Sequence, residues 1–349
     1  MPFTHDVIII GQGLAGTVLS ETLADRGLRV LVFDAPRAGR SSAVATGIIN
    51  PIVLRRTVPT WRGSEMLAIA GACYRELELD YDAGFWHPMP LVELFPTAQE
   101  AGLWHARMKE EEVGRMIALG SGDDPAVAQL PQPYGCGTVK RCAWLDIPTL
   151  LRLHRERWMR SGALEERLVE QSEVRSIEGG VEVAGRTAPL LVWCAGPFQQ
   201  VNGLVPVRGE GLTVHLPGLA LRSIVHRGLF LLPIGEERYR AGATFAWDDV
   251  WSGPTKEARH QLLDKLSRIW SGEVQVLDHW AGVRPAASDR RPILGRIASH
   301  QAVFTGLGSR GGLLAPWCAA HLADHLLAGS ALDPEVDLKR FNERVPPSA

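Results

Sequence analysis

The sequence predicts an α/β fold in which a part built on a parallel sheet is interleaved with an α+β part built on an antiparallel sheet. Two observations predict the parallel part: the chain opens with an apolar strand, a glycine turn, a helix and a second strand, and it closes on another strand, glycine turn and helix. A third predicts the antiparallel part, because residues 207–246 read as a series of short strands.

Composition limits the classes of protein that need to be considered. The 349 residues, 46% hydrophobic and 22% charged, are typical of a globular protein with one large domain or two interleaved ones. A net charge of −2 provides no general attraction to nucleic acid or to anionic membranes, and no stretch is predicted to span a membrane. The five cysteines lack C-x-x-C spacing and indicate neither a disulfide framework nor a zinc site. We therefore expect a cytoplasmic protein with small-molecule partners, and the start, MPFTHDVIII, does not read as a signal peptide.

The first motif is the glycine turn of the opening βαβ unit. Gly11, Gly13 and Gly16 give G-x-G-x-x-G between strand and helix, and Asp34 ends the second strand. Such glycines allow a sharp turn, a close approach of the backbone to a pyrophosphate, and tight packing of helix on strand, while the acidic residue accepts a ribose hydroxyl. The motif predicts a dinucleotide site. The alternative is a glycine turn that only fits a tight connection.

The segment after Asp34, APRAGRSSAVATGIINPIVLRR, is rich in glycine and serine where a simple nicotinamide-binding domain would continue with regular helix and strand. Arg40, Ser41, Ser42 and Thr46 are expected to donate hydrogen bonds to a second phosphate and to the rest of an extended ligand. A flexible surface loop is the alternative interpretation.

The remaining elements alternate between helices and strands. Helical patterns cover residues 59–80, 104–116, 147–161 and 256–270, and strands are predicted for PLLVWCAG and for residues 273–280. Two arginines, Arg284 in AGVRPAASDRRPILG and Arg310 in GLGSRGGLLAP, stand among small residues that give little cover to a side chain. They are candidates for binding an anion, because a guanidinium offers paired donors to a carboxylate. Otherwise each pairs with a buried acid or with the carboxyl end of a helix.

Four motifs together resemble the FAD-dependent D-amino-acid oxidase superfamily, in particular its glycine oxidase and sarcosine oxidase-like amine oxidoreductases. They are GQGLAG with Asp34, GRSSAVATGIINP, VWCAG, and the closing pair GVRP and GLGSRGGLLAP. The resemblance covers essentially the whole chain. It implies a Rossmann-like FAD-binding domain of the glutathione-reductase type, formed by residues 1–84, 142–206 and 284–349. A substrate-binding domain formed by residues 85–141 and 207–283 would interrupt it.

The resemblance implies noncovalent FAD, because no cysteine or histidine stands where relatives attach the flavin. It assigns residues from five segments to the cofactor: Gly11, Gly13, Leu14, Ala15, Gly16 and Asp34 from the opening unit; Arg40, Ser41, Ser42, Thr46, Gly47 and Ile48 from the next segment; Val174; Ala195 and Gly196; and Gly308, Ser309, Gly311, Gly312 and Leu313 from the closing turn.

For the substrate, the resemblance implies that Arg284 and Arg310 face a carboxylate and that Phe230 and Phe245 line the pocket. Phe230 stands where glycine oxidases carry an aromatic hydroxyl, so one hydrogen bond to the carboxylate would be missing and the substrate would differ. The implied activity is oxidation of the C–N bond of a small primary or secondary amine with a carboxylate, such as an amino acid or N-alkylglycine. Hydride passes to flavin N5, the imine is hydrolysed, and O2 is a possible electron acceptor.

A second resemblance is to the FAD-dependent oxidase domain of the bifunctional enzyme that matures carboxymethylaminomethyl-uridine at the tRNA wobble position. It makes tRNA an alternative substrate, although the near-neutral charge disfavours a phosphate-binding face. Two further alternatives are a flavoprotein subunit of a larger dehydrogenase and a nicotinamide-dependent enzyme. His87, His215 and His226 are candidate polar residues of the pocket, or simply packed side chains.

Overall fold

The computed structural model describes residues 2–341, which form two compact units. The first unit contains residues 2–45, 147–207 and 283–341, and the second contains residues 46–146 and 208–282. Both units mix helices with sheets, and together they contain parallel and antiparallel strands, so the predicted fold class is confirmed. Among the described residues, no helix is both long enough and apolar enough to cross a membrane.

In chain order, the helices are α1 (Leu14–Asp25), α2 (Ser41–Val44), α3 (Gly63–Tyr81), α4 (Ala98–Arg107), α5 (Glu111–Met116), α6 (Ile147–Arg160), α7 (Lys256–Ser267) and α8 (Gly311–Ala328). The strands are β1 (Val7–Ile10), β2 (Val30–Asp34), β3 (Ile48–Ile49), β4 (Ile52–Val53), β5 (Val58–Pro59), β6 (Trp86–Pro88), β7 (Leu91–Leu94), β8 (Ile117–Leu119), β9 (Cys136–Val139), β10 (Ala143–Leu145), β11 (Leu164–Glu166), β12 (Arg175–Ile177), β13 (Gly180–Val183), β14 (Arg186–Ala188), β15 (Leu190–Trp193), β16 (Leu204–His215), β17 (Ile224–His226), β18 (Phe230–Pro233), β19 (Arg238–Gly242), β20 (Gln275–Ala287), β21 (Ile293–Ala298) and β22 (Gln301–Thr305).

The first unit is built on a six-stranded sheet in the order β11-β2-β1-β15-β22-β21. The five strands from β11 to β22 are parallel, and β21 runs antiparallel to β22. Ile8 and Ile10 of β1 pack in one cluster with the small antiparallel sheet β12-β13-β14. Their neighbours Val7 and Ile9 are also buried, so side chains on both faces of β1 are covered, as a parallel sheet requires.

The second unit is built on an eight-stranded sheet in the order β20-β16-β19-β18-β17-β7-β9-β8. From β16 to β8, neighbouring strands are antiparallel except for β17 beside β7. Leu262 and Leu266 of α7 pack in one cluster with Val92 and Leu94 of β7. Leu91 of the same strand belongs to another cluster, so alternate side chains of β7 enter two cores on opposite faces of the sheet.

The two units divide the chain differently from the predicted domains at two segments, apart from shifts of one residue at 207 and 283. Residues 46–84 and 142–146, which are predicted to belong to the cofactor domain, lie in the second unit. The reason is local pairing, because β3 pairs with β10, which also pairs with β6, and α3 packs against β6. The assignment of functions to the two domains stays a prediction.

The helix predicted over residues 104–116 is two helices, α4 and α5. The first begins earlier than predicted because Thr97 caps it, accepting a hydrogen bond from the Glu100 amide at 3.2 Å. The second packs so closely on the end of the first that a β-carbon at Gly114 would lie 2.3 Å from the carbonyl oxygen of Met108.

Candidate functional site

The glycine turn of the first unit connects β1 to α1, and its backbone lies very close to Cys194 and to the first turn of α1. Gly11 has φ +104°, and a β-carbon there would lie 2.6 Å from the carbonyl oxygen of Cys194. A β-carbon on Gly16 would lie 1.9 Å from the carbonyl oxygen of Gly11. Helix α1 begins at Leu14 after Gly13, which provides no side-chain cap. The turn therefore presents the amino end of a helix, which carries a partial positive charge, at the end of the central strand.

Asp34, at the end of β2, is the acidic residue beside this turn. It is buried, and its carboxylate accepts hydrogen bonds from the Gln12 amide at 2.9 Å and from Arg155 Nη1 at 2.8 Å. Arg40 Nη1 lies 3.3 Å from the same carboxylate. The charge of Asp34 is thus balanced by two arginines, one of which, Arg155, we had not predicted.

The serine-rich segment lies against the same turn. The Ser42 hydroxyl accepts a hydrogen bond from the Leu14 amide at 3.1 Å, which is the first amide of helix α1. The Val283 amide donates to the carbonyl oxygen of Gly39 at 2.9 Å, so the end of β20 is adjacent to this segment. Residues 39–42 therefore join the opening and closing motifs of the first unit.

A pocket in the first unit is lined by eight of the predicted cofactor residues: Gly11, Gly13, Asp34, Arg40, Ser41, Ser42, Ala195 and Gly196. Its lining also includes residues that the sequence analysis missed: Ile10, Phe33, Ala35, Arg37, Arg167, Leu168, Val169, Cys194, Pro197 and Phe198. The guanidinium of Arg37 lies over the Phe198 ring, 4.2 Å from its centroid, and makes a flat wall.

Val174 does not line this pocket. It packs against the cluster under the sheet that contains Phe33 and Val169, and Val169 itself lines the pocket. The contact of Val174 with the cofactor stays a prediction. A short 3₁₀ helix, Gln171–Glu173, separates the two valines and turns the chain away before β12 begins.

The closing motifs of the first unit lie side by side. An antiparallel bridge joins Ala286, at the end of β20, to Leu307, which precedes the closing turn. A β-carbon on Gly308 would lie 3.8 Å from Ala286, and one on Gly311 would lie 3.2 Å from Leu14. The bridge brings the segments that carry Arg284 and Arg310 together, next to the amino ends of α8 and α1.

Both arginines are half-buried. Burial lowers the pKa of Arg284 to about 10, because leaving water disfavours the charged guanidinium. The side chain still carries a positive charge at neutral pH. A charge held in this way is stabilised by an anionic ligand, since the attraction is stronger where water is partly excluded. Arg310 directly precedes α8, where the closing turn ends.

Five of the predicted site residues lie in the second unit. Thr46 is the first residue of that unit, and it precedes Gly47, where a β-carbon would lie 1.9 Å from the carbonyl oxygen of Leu145. Ile48 pairs with Trp144. Phe230 lies in β18 and is half-buried, whereas Phe245 follows β19, is 55% exposed and stacks on Trp247 with ring centroids 6.5 Å apart.

The three candidate histidines are all engaged with neighbouring side chains of the second unit. His87 stacks on Trp144, with ring centroids 4.6 Å apart. His215 Nδ1 lies 3.2 Å from Gln275 Oε1, and His226 Nδ1 lies 2.5 Å from Glu93 Oε2. These contacts support the interpretation that the three histidines are packed side chains, and half-buried His226 pairs with buried Glu93 between β17 and β7.

A buried polar network lies behind the glycine turn, between α1 and α6. His154 is fully buried, and its Nδ1 lies 3.2 Å from Gln12 Nε2 while its Nε2 lies 2.8 Å from Ser20 Oγ. The Ser20 hydroxyl donates to the carbonyl oxygen of Thr17 and therefore accepts from His154. A neutral imidazole protonated on Nε2 satisfies every partner. A second proton on Nδ1 would face the amide donor of Gln12.

This geometry makes a prediction about pH. Burial, with smaller contributions from Arg157 and Arg155, lowers the pKa of His154 from 6.5 to about 3. In the unfolded chain His154 gains a proton as the pH falls below 6.5, whereas the folded protein keeps it neutral. The contribution of neutral His154 to the unfolding free energy is therefore fully present above pH 6.5 and is lost as the pH falls toward 3. Between pH 7 and 5, the wild type should lose about 2 kcal/mol more unfolding free energy than His154→Gln. Urea unfolding at both pH values measures this difference, and an equal loss in the two proteins would contradict it.

Residues 6–325 match the model of the DAO family, described as FAD dependent oxidoreductase. The chain therefore belongs to this family and is a FAD-dependent oxidoreductase.

Three similar proteins illustrate the family. The chain is 27% identical to glycine oxidase of Pseudomonas aeruginosa, over 93% of this chain and 94% of that protein. It is 25% identical to the tRNA 5-methylaminomethyl-2-thiouridine biosynthesis bifunctional protein MnmC of Idiomarina loihiensis, over 92% of this chain and 55% of that protein. The chain thus spans about half the length of that bifunctional relative. The crystal structure of glycine oxidase from Geobacillus kaustophilus has the same fold, with a TM-score of 0.81, 21% identity, and coverage of 95% of this chain and 96% of that one.

Proposed function

We propose that this FAD-dependent oxidoreductase oxidises the C–N bond of a small primary or secondary amine that carries a carboxylate, such as an amino acid or an N-alkylglycine. The observation that carries the proposal is the bridge between Ala286 and Leu307, which brings the segments of Arg284 and Arg310 together in one unit. The match to glycine oxidase along nearly its full length supports an amine substrate of small size.

The first unit fits the adenosine and pyrophosphate parts of FAD. Gly11 and Gly13 line the pocket at the amino end of α1, where a phosphate would lie, and Ser42 and Arg40 line it beside them and can donate hydrogen bonds. We assign the ribose to Asp34. The remaining predicted cofactor residues, including the closing turn from Gly308 to Leu313, are proposed to hold the rest of the cofactor without a covalent bond.

The two arginines are proposed to bind the substrate carboxylate and to orient the amine. A guanidinium donates two parallel hydrogen bonds to a carboxylate, which fixes both position and direction. Phe230 and Phe245 would add apolar surface, and no tyrosine hydroxyl supplements the arginines at position 230. Recognition of the carboxylate therefore depends on Arg284 and Arg310 more than it would if that hydroxyl were present.

The proposed reaction needs little chemistry from side chains. Bound FAD would supply the acceptor for a hydride from the carbon next to the amine nitrogen, and water would hydrolyse the resulting imine. The chain must hold the amine in its neutral form with its C–H bond aligned, so positioning is the main contribution of Arg284 and Arg310. O2 is the proposed acceptor for reoxidation, with hydrogen peroxide as its product.

A tRNA substrate is the second candidate, and the similarity to the bifunctional tRNA protein favours it. Its modified uridine also presents a secondary amine with a carboxylate, so the same two arginines would serve. The net charge of −2 argues against it, because binding a polyanion normally needs a basic surface.

A panel of substrates tests the proposal. Anaerobic mixing of the holoenzyme with glycine, sarcosine, other N-alkylglycines and D-amino acids should bleach the flavin absorbance for at least one of them. Matched 2-hydroxy acids are the control, since they keep the carboxylate but lack the amine. If hydroxy acids bleach the flavin and amines do not, the amine proposal is wrong. If only tRNA carrying carboxymethylaminomethyl-uridine bleaches it, the second candidate is correct.

A further inference from the structure

Arg155, on helix α6, contacts two acidic side chains at the ends of neighbouring strands. Its Nη1 donates to Asp34 Oδ2 at 2.8 Å, and its Nη2 donates to Glu166 Oε2 at 2.5 Å. Strands β2 and β11 are parallel neighbours, and Asp34 lies directly opposite Glu166 in their register. Two carboxylates in adjacent positions repel each other. A guanidinium between them removes this repulsion and fixes both groups.

Arg155 differs from Arg40, the other arginine beside Asp34. Arg40 lines the pocket, and its contacts with Asp34 and with the carbonyl oxygen of Gln12 are longer, at 3.3 and 3.4 Å. Arg40 is therefore placed to turn toward an anionic ligand in the pocket. Arg155 is not part of the pocket lining, and both ends of its fork are bound to protein carboxylates.

Helix α6 also holds the glycine turn itself. The Gln12 side-chain amide donates to the carbonyl oxygen of Leu151 at 2.8 Å, and Arg155 Nη1 lies 3.3 Å from Gln12 Oε1. The Gln12 backbone amide in turn donates to Asp34 Oδ1 at 2.9 Å. Both oxygens of Asp34 are thus fixed, one by the turn and one by Arg155, and the same helix anchors both.

We propose that Arg155 is a positioning residue for the cofactor: it fixes the Asp34 carboxylate in the orientation that accepts hydrogen bonds from the hydroxyls of the adenosine ribose of FAD. Without Arg155, Asp34 would rotate or turn toward Arg40, and the ribose would lose an acceptor that is already in place. Preorganisation of this kind increases affinity by reducing the ordering that binding requires. The proposal concerns the cofactor alone and stands independently of the amine substrate proposed above.

The experiment measures binding rather than turnover. Protein stripped of flavin is titrated with FAD and with two FAD analogues, whose adenosine lacks the 2′- or the 3′-hydroxyl, and flavin fluorescence reports the Kd. The wild type should bind FAD more tightly than at least one analogue by about tenfold or more, the effect of a hydrogen bond to a charged group. In Arg155→Gln, FAD should bind about tenfold more weakly, and its advantage over the analogue should shrink to about threefold or less.

Two further variants make the result specific. Arg152→Gln is the matched control, because Arg152 is an exposed arginine of the same helix that pairs with Glu156 at 3.0 Å, and it should retain the affinity and the hydroxyl preference. Arg155→Lys keeps the charge but cannot bind two carboxylates in the same way, so its preference should be intermediate. If Arg155→Gln does not fold, the hydroxyl preference of Arg155→Lys tests the proposal in its place.

Three results would overturn the proposal. One is a wild type that binds FAD and both analogues equally, since Asp34 would then not bind the ribose. Another is an unchanged hydroxyl preference in the Arg155 variants, even with weaker FAD binding, because a merely structural role weakens all three ligands alike. The third is an equal loss of preference in Arg152→Gln.

Discussion

Replacing Arg284 with alanine is expected to weaken the binding of a carboxylate ligand such as glycolate by about 1.5–3 kcal/mol, the scale of a hydrogen bond to a charged group. Arg310→Ala should have an effect of the same size. FAD should stay bound in both variants. The double variant should lose less than the sum, because an anion released by one arginine can shift and rehydrate. Titration of the flavin absorbance with glycolate measures each Kd.

Three controls separate carboxylate recognition from general electrostatics. Arg284→Lys keeps the charge but loses the two-pronged geometry, so it should recover only part of the affinity. Arg296→Ala removes an exposed arginine of β21, which donates to the carbonyl oxygen of Ser299 at 2.8 Å, and should leave the affinity unchanged. The affinity for an amine that lacks a carboxylate should change little in any of these variants. If both alanine variants bind glycolate as well as the wild type, the two arginines are structural.

Gly16→Ala is expected to abolish FAD binding and to lower the unfolding free energy by about 3 kcal/mol or more. The added β-carbon would lie 1.9 Å from the carbonyl oxygen of Gly11, and that atom belongs to the turn backbone rather than to a flexible side chain. Helix α1 must therefore move away from β1, which opens the turn. Flavin content after purification and thermal unfolding with and without FAD measure the two effects.

Gly102→Ala is the matched control for this substitution. Gly102 lies in helix α4, where an added β-carbon meets no atom within 4 Å. Alanine has the higher helix propensity, so this variant should gain up to about 1 kcal/mol and retain FAD. A Gly16→Ala protein that binds FAD normally would show that the turn tolerates the displacement and would contradict the prediction.

The sequence predicts the structure of the candidate site best where the residues of the site lie close together in the chain. The glycine turn, Asp34 and the serine segment fall within one stretch, and the contact from Leu14 to Ser42 joins parts of the chain only 28 residues apart. The bends of the turn need glycine, so the residue types identify the geometry directly.

The contacts between residues far apart in the chain could not be predicted, because a single sequence does not indicate which distant residues meet in the fold. Arg155 reaches Asp34 across 121 residues, and nothing in the pattern IPTLLRLHRERWMRS distinguishes it from the exposed Arg152 of the same helix. The wall formed by Arg37 and Phe198 likewise joins two distant segments.

The order of strands in the first unit determines when that unit can assemble during synthesis. Val7 of β1 pairs on one side with Val30 of β2, which is made soon afterwards, but on the other side with Leu190 of β15. Strand β15 in turn needs β22, whose pairing begins at Gln301. One edge of the opening pair of apolar strands therefore stays uncovered until β15 has left the ribosome, and the edge of β15 stays uncovered until β22 follows. Parallel sheets whose strands come from such distant segments form slowly, and their unpaired strand edges are prone to aggregation until they do. Efficient production of this enzyme should thus depend on chaperones that bind the growing chain.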